Sequence, residues 1–417
     1  MRIVTLILLS CCLLPRAGFG QTIRLALGGA IATQAPSSSG ASILTAAAAA
    51  DENAKDDESP KRKPGEIVVT TLVEGLNNPF SVTVEDDSNR IFVAESGAQR
   101  IVEIKDGKSV EIAGEFPVSE FRGYAAGPLS VFSAGENVLL VGHDNESGVG
   151  SLTRLSLALN SDDPASADAA RATVSIEHKT DEAKLNQFSN MTLKHSVIYT
   201  VTNGDPANGW IALAELQSGT ITTLRPSIAT AKLSSCPGPT CVTVSPAGEY
   251  LVASQMGKRG DAKDSRLVFY TLQGKMLRNF KVELNDIVAL AYSPDRKHLF
   301  AIDYNFADPS KGGLYKLIGN GADKCEIKKL QHLSYATSMS FDRKGNLYVT
   351  CLGGPPERIG AAGNESSDEA KDAPVDAARG LTKKVAKGTL IKIEGLDDRP
   401  AEPDETVEGA EGEDVSE

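Results

Sequence analysis

The sequence predicts an all-β chain, a ring of six four-stranded blades (a β-propeller) closed by a strand from before the first blade. Three observations predict it. An apolar alternating strand, a polar turn and a second apolar strand recur every fifty residues or so. Each repeat then carries a further pair of short strands. The last repeat is one strand short, while a spare strand stands ahead of the first.

Four copies of the repeat are clear. Pro79–Val84 (PFSVTV) is followed by the turn Glu85–Arg90 and Ile91–Ala94. Pro239–Val244 (PTCVTV), Ser245–Glu249 and Tyr250–Ala253 repeat the pattern, as do Ile287–Tyr292, Ser293–His298 and Leu299–Ile302. Ala336–Phe341, Asp342–Asn346 and Leu347–Thr350 form the last copy, and weaker ones begin at Pro128 and near Gln187. Arg100–Ile104 with Val110–Ile112 shows the further strand pair best. Four short strands in about fifty residues make a blade, whereas tandem sandwiches would need ~100 residues per unit. The spare strand Glu66–Val73 should pair with Gly388–Glu394 as the outer strand of the sixth blade, which removes the exposed edges of an open sheet.

Around the ring, 66–396, the sequence changes character. Arg2, the apolar run Ile3–Leu14 and the small residues before Gln21 read as a signal peptide, 1–20, and imply a secreted or periplasmic protein. Leu8-Leu9-Ser10 before Cys11 offers a minority reading as a lipoprotein anchor. The run is shorter than the ~20 residues a spanning helix needs, and no other segment reaches that length. Residues 21–65 read as a low-complexity linker, 354–387 as a disordered insertion in blade six, and 397–417 as a disordered acidic tail. The formal net charge is −12, and the tail alone holds ten Asp/Glu against Arg399. The rest carries no basic stripe, which argues against a nucleic-acid partner.

Removing the signal leaves Cys236, Cys241, Cys325 and Cys351. The turn residues between Cys236 and Cys241 would let these two form a disulfide; unpaired burial is the expectation for Cys325 and Cys351. The sequence contains no zinc spacing, haem attachment, nucleophile elbow, P-loop or dinucleotide fingerprint.

The blades resemble those of secreted six-bladed propellers of the NHL, SMP-30 (gluconolactonase) and strictosidine-synthase-like superfamily, over about 66–396. The residues that carry the resemblance are Phe92–Ile101 (FVAESGAQRI) and Ser293–Asp303 (SPDRKHLFAID). In SMP-30-like lactonases a divalent metal sits in the central channel. The resemblance would place ligands at the approach to Pro79 and at two inner-strand positions, where this chain has Leu76-Asn77-Asn78, Val288 and Thr337. A valine cannot coordinate a hard cation.

In a blade, the loop between second and third strands opens on the face where the chain enters the next blade. Those loops bring Glu95, His143, Asp144, Asn145, Asn203, Asp205, Gln255, Asp303 and Asn305 to one face as candidate ligand- or partner-binding residues. Such oxygen and amide groups would suit Ca²⁺ before a softer metal, with Glu95, Asp205 and Asp303 the carboxylates to hold it. Turn chemistry alone also favours Asn, Asp and Gly in loops. Trp210 is expected to pack at a blade rim. The leading expectation is an exported, non-catalytic propeller that binds an exported protein or small ligand on this loop-rich face, with no catalytic residue or required cofactor assigned. The alternative is a Ca²⁺-type metal-dependent lactonase or esterase with a rearranged site.

Overall fold

Six four-stranded antiparallel sheets are arranged as successive blades in the computed structural model. It describes residues 66–121, 124–135, 137–157, 171–175, 185–203, 209–217, 220–257, 263–319, 325–354 and 387–396. The signal, linker and tail segments, Cys11, Asp205 and 355–386 of the insertion lie outside the described residues. The described residues fall in one unit, Lys61–Glu417.

The inner strands are Pro79–Val84, Ser130–Gly135, Phe188–Lys194, Pro239–Val244, Ile287–Tyr292 and Ala336–Phe341. They coincide with the repeats read from the sequence, the two weak copies included. Each neighbours the next, and the last returns to the first. Blade six takes Val68–Asn77 as its outer strand, paired antiparallel with Lys387–Glu394 from Val68 opposite Glu394 to Asn77 opposite Lys387. The ring is therefore closed by the N-terminal strand, as the missing strand implied.

Why inner strands turn where they do follows from the residue after each. Glu85, Ser245, Ser293 and Asp342 are buried polar residues at the start of the turn. The Ser245 hydroxyl accepts the N–H groups of Glu249 (3.1 Å) and Tyr250 (3.2 Å). Asp342 accepts those of Lys344 and Asn346, both at 2.9 Å. Backbone donors that the reversal would otherwise leave buried and unpaired are thus satisfied.

Apolar clusters fill the space between blades; one spans blades five and six through Phe300, Ile302, Leu314, Met339, Val349 and Ile393. Near the axis, small polar side chains add links from blade to blade. Val82 N–H donates to Ser338 Oγ (3.4 Å), Val131 N–H to Ser81 Oγ (3.1 Å), and Val242 N–H to Asn190 Oδ1 (2.8 Å). Between blades four and five the acceptor is a thiol: Leu290 N–H donates to Cys241 Sγ at 3.1 Å.

That link corrects the disulfide expectation. Cys236 and Cys241 are both free and buried. Cys241 lies inside an inner strand and faces blade five, whereas Cys236 follows the short helix Thr230–Ser234 and donates to the Met256 carbonyl at 3.6 Å. The two thiols are held by different partners. Burial pushes Cys236 up to about 11 and Cys241 and Cys351 to about 12, so these are neutral packing groups at physiological pH. Among the described residues no helix is long and apolar enough to cross a membrane.

Candidate functional site

The axis of the ring ends differently on its two faces. On the loop-rich face, the second residues of five inner strands, Phe80, Ser189, Thr240, Val288 and Thr337, and Leu129, just ahead of the blade-two strand, line a small pocket of about 50 Å³. Over this layer lies an aromatic roof. Phe121 and Tyr124 come from a hairpin, Ser119–Phe121 with Tyr124–Ala126, inserted between blades one and two. Tyr304 and Phe306 come from the loop after Leu299–Asp303 in blade five. Phe80 meets Phe121 and Tyr124 edge-on at 5.5 and 5.8 Å, and Tyr304 packs on Phe306 at 4.5 Å. Tyr124 Oη lies 3.3 Å from Tyr304 Oη and donates to the Gly354 carbonyl at 3.1 Å. Gly354 is the last described residue before residues 355–386.

The described carboxylates expected on this face point elsewhere. Glu95 is 3% exposed, accepts the Asn77 N–H at 2.7 Å and pairs with Arg100 at 2.7 Å. Asp303, also 3% exposed, accepts the N–H groups of Asp286 (2.7 Å), Asn285 (3.2 Å) and Asn305 (3.2 Å). Both are strand-end residues that fold back on the connection bringing the chain to the inner strand of their own blade. Asp144 does the same one blade on, accepting the Gln187 N–H at 2.6 Å. Asn145 caps its own turn, accepting the N–H groups of Ser147 and Val149. Asn305 adopts a left-handed conformation, φ +54°.

His143 is buried as well. Its Nδ1–H donates to the Asp144 carbonyl at 2.8 Å, and Nε2 is hydrogen-bonded to the Thr153 hydroxyl at 2.8 Å. Phe116 packs edge-on against it at 5.2 Å. Both nitrogens are occupied, and no role as a base or ligand is left open in this arrangement. Gln255 occupies the position in blade four that Glu95 and Asp303 hold in theirs, each opposite the first residue of an inner strand. It is fully buried, and its side-chain amide has no hydrogen-bond partner among the described residues.

Of the expected residues that are described, only Asn203 lines the roofed pocket, where its amide donates to Ser189 Oγ. Among the described residues no three His, Cys, Asp or Glu side chains are gathered as a metal would require. Val288 and Thr337, the positions the lactonase resemblance would give to ligands, do face the axis. Trp210 packs, half-buried, against the apolar cluster between blades two and three.

Asp144 carries a testable signature. Burial raises its pKa above the usual carboxylate value, against the Gln187 N–H and the Ser119 hydroxyl that favour the charged form. A carboxyl whose pKa is raised on folding penalises the native state once it ionises, and that penalty disappears below the unfolded-state value. Asp144→Asn keeps an acceptor for Gln187 and removes the charge. We expect it to stabilise the protein by about 1 kcal/mol at pH 7. The advantage should fade as the pH falls towards about 4 and be gone below it. Urea titrations at the two pH values read it, and destabilisation at pH 7 would count against a burial penalty.

No protein-family model matches the chain, and no curated protein matches it. Among solved structures it is similar to the PQQ-bound aldose sugar dehydrogenase of Streptomyces coelicolor, with 12% identity over 79% of this chain and 99% of that one and a TM-score of 0.49. It is similar also to hydrazine synthase of Kuenenia stuttgartiensis, at 17% identity over 66% of this chain and 74% of that one, TM-score 0.45. A gluconolactonase from Xanthomonas campestris shows 12% identity over 68% and 86%, with a TM-score of 0.46.

Proposed function

We propose that this chain is a non-catalytic binding propeller that takes a small, neutral ligand at the roofed end of its axis. One observation carries the proposal: the pocket is lined by aromatic and aliphatic side chains and by Ser189, Asn203, Thr240 and Thr337, with no acid, base, thiol or charged group among them. Apolar walls with a few fixed polar groups describe a site that orients a ligand. The Ser, Thr and Tyr hydroxyls of the lining have no carboxylate, imidazole, amine or thiol beside them among the lining residues to activate one for a covalent step. A ring-shaped molecule with one apolar face and hydroxyls on its edge matches this pattern. The space available in the structure, about 50 Å³, holds little more than water, so binding requires the Ser119–Ala126 hairpin to move outward. Residues 1–20 support the further proposal that the protein acts outside the cytoplasm.

Thermal-shift screening of neutral ring compounds, monosaccharides among them, followed by calorimetry, tests the proposal. A ligand should be found whose affinity drops about tenfold in Phe121→Ala and in Phe306→Ala, a change of ~1.4 kcal/mol. Equal affinity in wild type and both variants would move the site away from the roof. Metal-dependent turnover of lactones or esters in a parallel screen with Ca²⁺ would replace this proposal by the hydrolase alternative, which would have to recruit Asp205. Protein recovered from the export compartment should begin near Gln21; an intact Met1 would withdraw the export proposal.

A further inference from the structure

The opposite end of the axis has a different character. It is an open funnel of about 650 Å³, within the ~300–1,000 Å³ range of small-molecule sites. Its walls come from all six inner strands and from the turns that follow four of them. The lining is rich in donors. Thr83 and Ser340 each accept an inner-strand N–H, from Ser133 at 3.0 Å and Val84 at 3.1 Å. A hydroxyl that has accepted still holds its own proton, which can be turned toward the lumen. Thr192 and Thr243 add two more hydroxyls to the wall.

The charged groups at the funnel are Asp86, Lys194, Arg296, Asp342 and Arg343. Asp342 is engaged by its own turn and by the Tyr348 hydroxyl, and Arg343 pairs with Asp87 at 2.6 Å. Lys194 and Arg296 have no ion-pair partner among the described residues, and neither has Asp86. Their placement separates them. Asp86 belongs to the first turn of blade one, across the ring from blade four. Lys194 ends the inner strand of blade three and Arg296 lies in the turn of blade five, on either side of blade four. The Lys194 ammonium rests over Gly248 in the blade-four turn, where any Cβ would collide with it and where φ is +73°. Glycine there leaves room for the cation at the mouth.

We propose that this funnel is a second binding site, for a sugar-sized oxyanion such as a carboxylated or phosphorylated sugar. Lys194 and Arg296 meet its charge, and the Thr and Ser hydroxyls of the wall donate to its oxygens. Charge-assisted hydrogen bonds from two unpaired cations supply the selectivity for an anion over a neutral sugar. This inference stands apart from the reading of the roofed end, which involves none of these residues.

Calorimetry on the full chain tests it, with glucuronate and glucose 6-phosphate as probes and glucose as the neutral control. At least one anion should bind, its affinity falling with added salt, while glucose does not bind at this end. Lys194→Ala and Arg296→Ala should each lower the anion affinity about tenfold. Both side chains reach solvent, so melting temperatures close to wild type should accompany the loss and separate it from misfolding. A preference for glucuronate or for the phosphate ester tells which oxyanion the funnel takes. Failure of both anions to bind, or anion binding unchanged in both variants, would overturn the proposal.

Discussion

Asp303→Ala should lower the stability of the protein by about 3–5 kcal/mol in urea unfolding. The Asp303 carboxylate receives three backbone N–H groups, from Asp286, Asn285 and Asn305, in a buried setting. Each donor stranded without an acceptor costs roughly 1–3 kcal/mol. The return contact runs the other way: Asp286 Oδ2 accepts the Phe306 N–H at 2.6 Å. One reciprocal bracket therefore holds both the connection into blade five and the loop that presents Tyr304 and Phe306 to the roof. Asp303→Asn keeps one oxygen acceptor and should cost about half as much. A change below about 1 kcal/mol in the alanine variant would mean that the loop finds other partners easily.

The largest effect is expected from removing the closing strand. A chain beginning at Asn78 loses Val73 and Leu76, 6% and 2% exposed, whose burial contributes ~1.5–3 kcal/mol each. It also loses the whole backbone pairing with Lys387–Glu394 and strips Glu95 of the Asn77 N–H. The sum approaches the entire stability of a typical domain, about 5–15 kcal/mol. The bare strand with Leu390, Ile391 and Ile393 becomes an unpaired apolar edge. The truncated chain should aggregate or elute as an expanded species, without near-ultraviolet circular dichroism. A synthetic peptide of residues 66–77 added in trans should restore part of the signal. A cooperative monomeric melt within a few degrees of the full chain would show that the ring holds without its closure.

What could be foreseen from the residues, and what could not, divides by the range of the interactions involved. The inner strands were legible because their signal is local: alternation in Pro79–Val84 or Ala336–Phe341, then a turn opened by a capping Ser or acid. Even Phe188–Lys194, masked by its Asn and Lys, fell at the repeat distance. The closing strand was legible by elimination. Glu95 and Asp303 were read as loop residues just past their strands, whereas they end them, and whether each turns outward depends on a connection 18 residues upstream that returns to meet it. The aromatic roof was missed because its members come from two distant segments. Phe121 and Tyr124 sit in what reads as a plain connection between blades; only the excess of aromatics in SEFRGY hinted at a packed hairpin. For Cys236 and Cys241 the short spacing was a true signal of proximity along the chain. Yet the inner strand aims Cys241 at its neighbour, so proximity did not become a bond.

The pairing of Val68–Asn77 with Lys387–Glu394 also sets an order in time. The first strand of the ring to be synthesised is the last to find its place, because its partner is the last strand made. At ~5–20 residues per second, the interval between them is on the order of tens of seconds. Through that interval blades one to five can collapse in turn, each on its predecessor, while Val73 and Leu76 wait in water. Such a chain commits to its native form late and all at once, and anything that masks a strand edge during the delay acts as a chaperone for it.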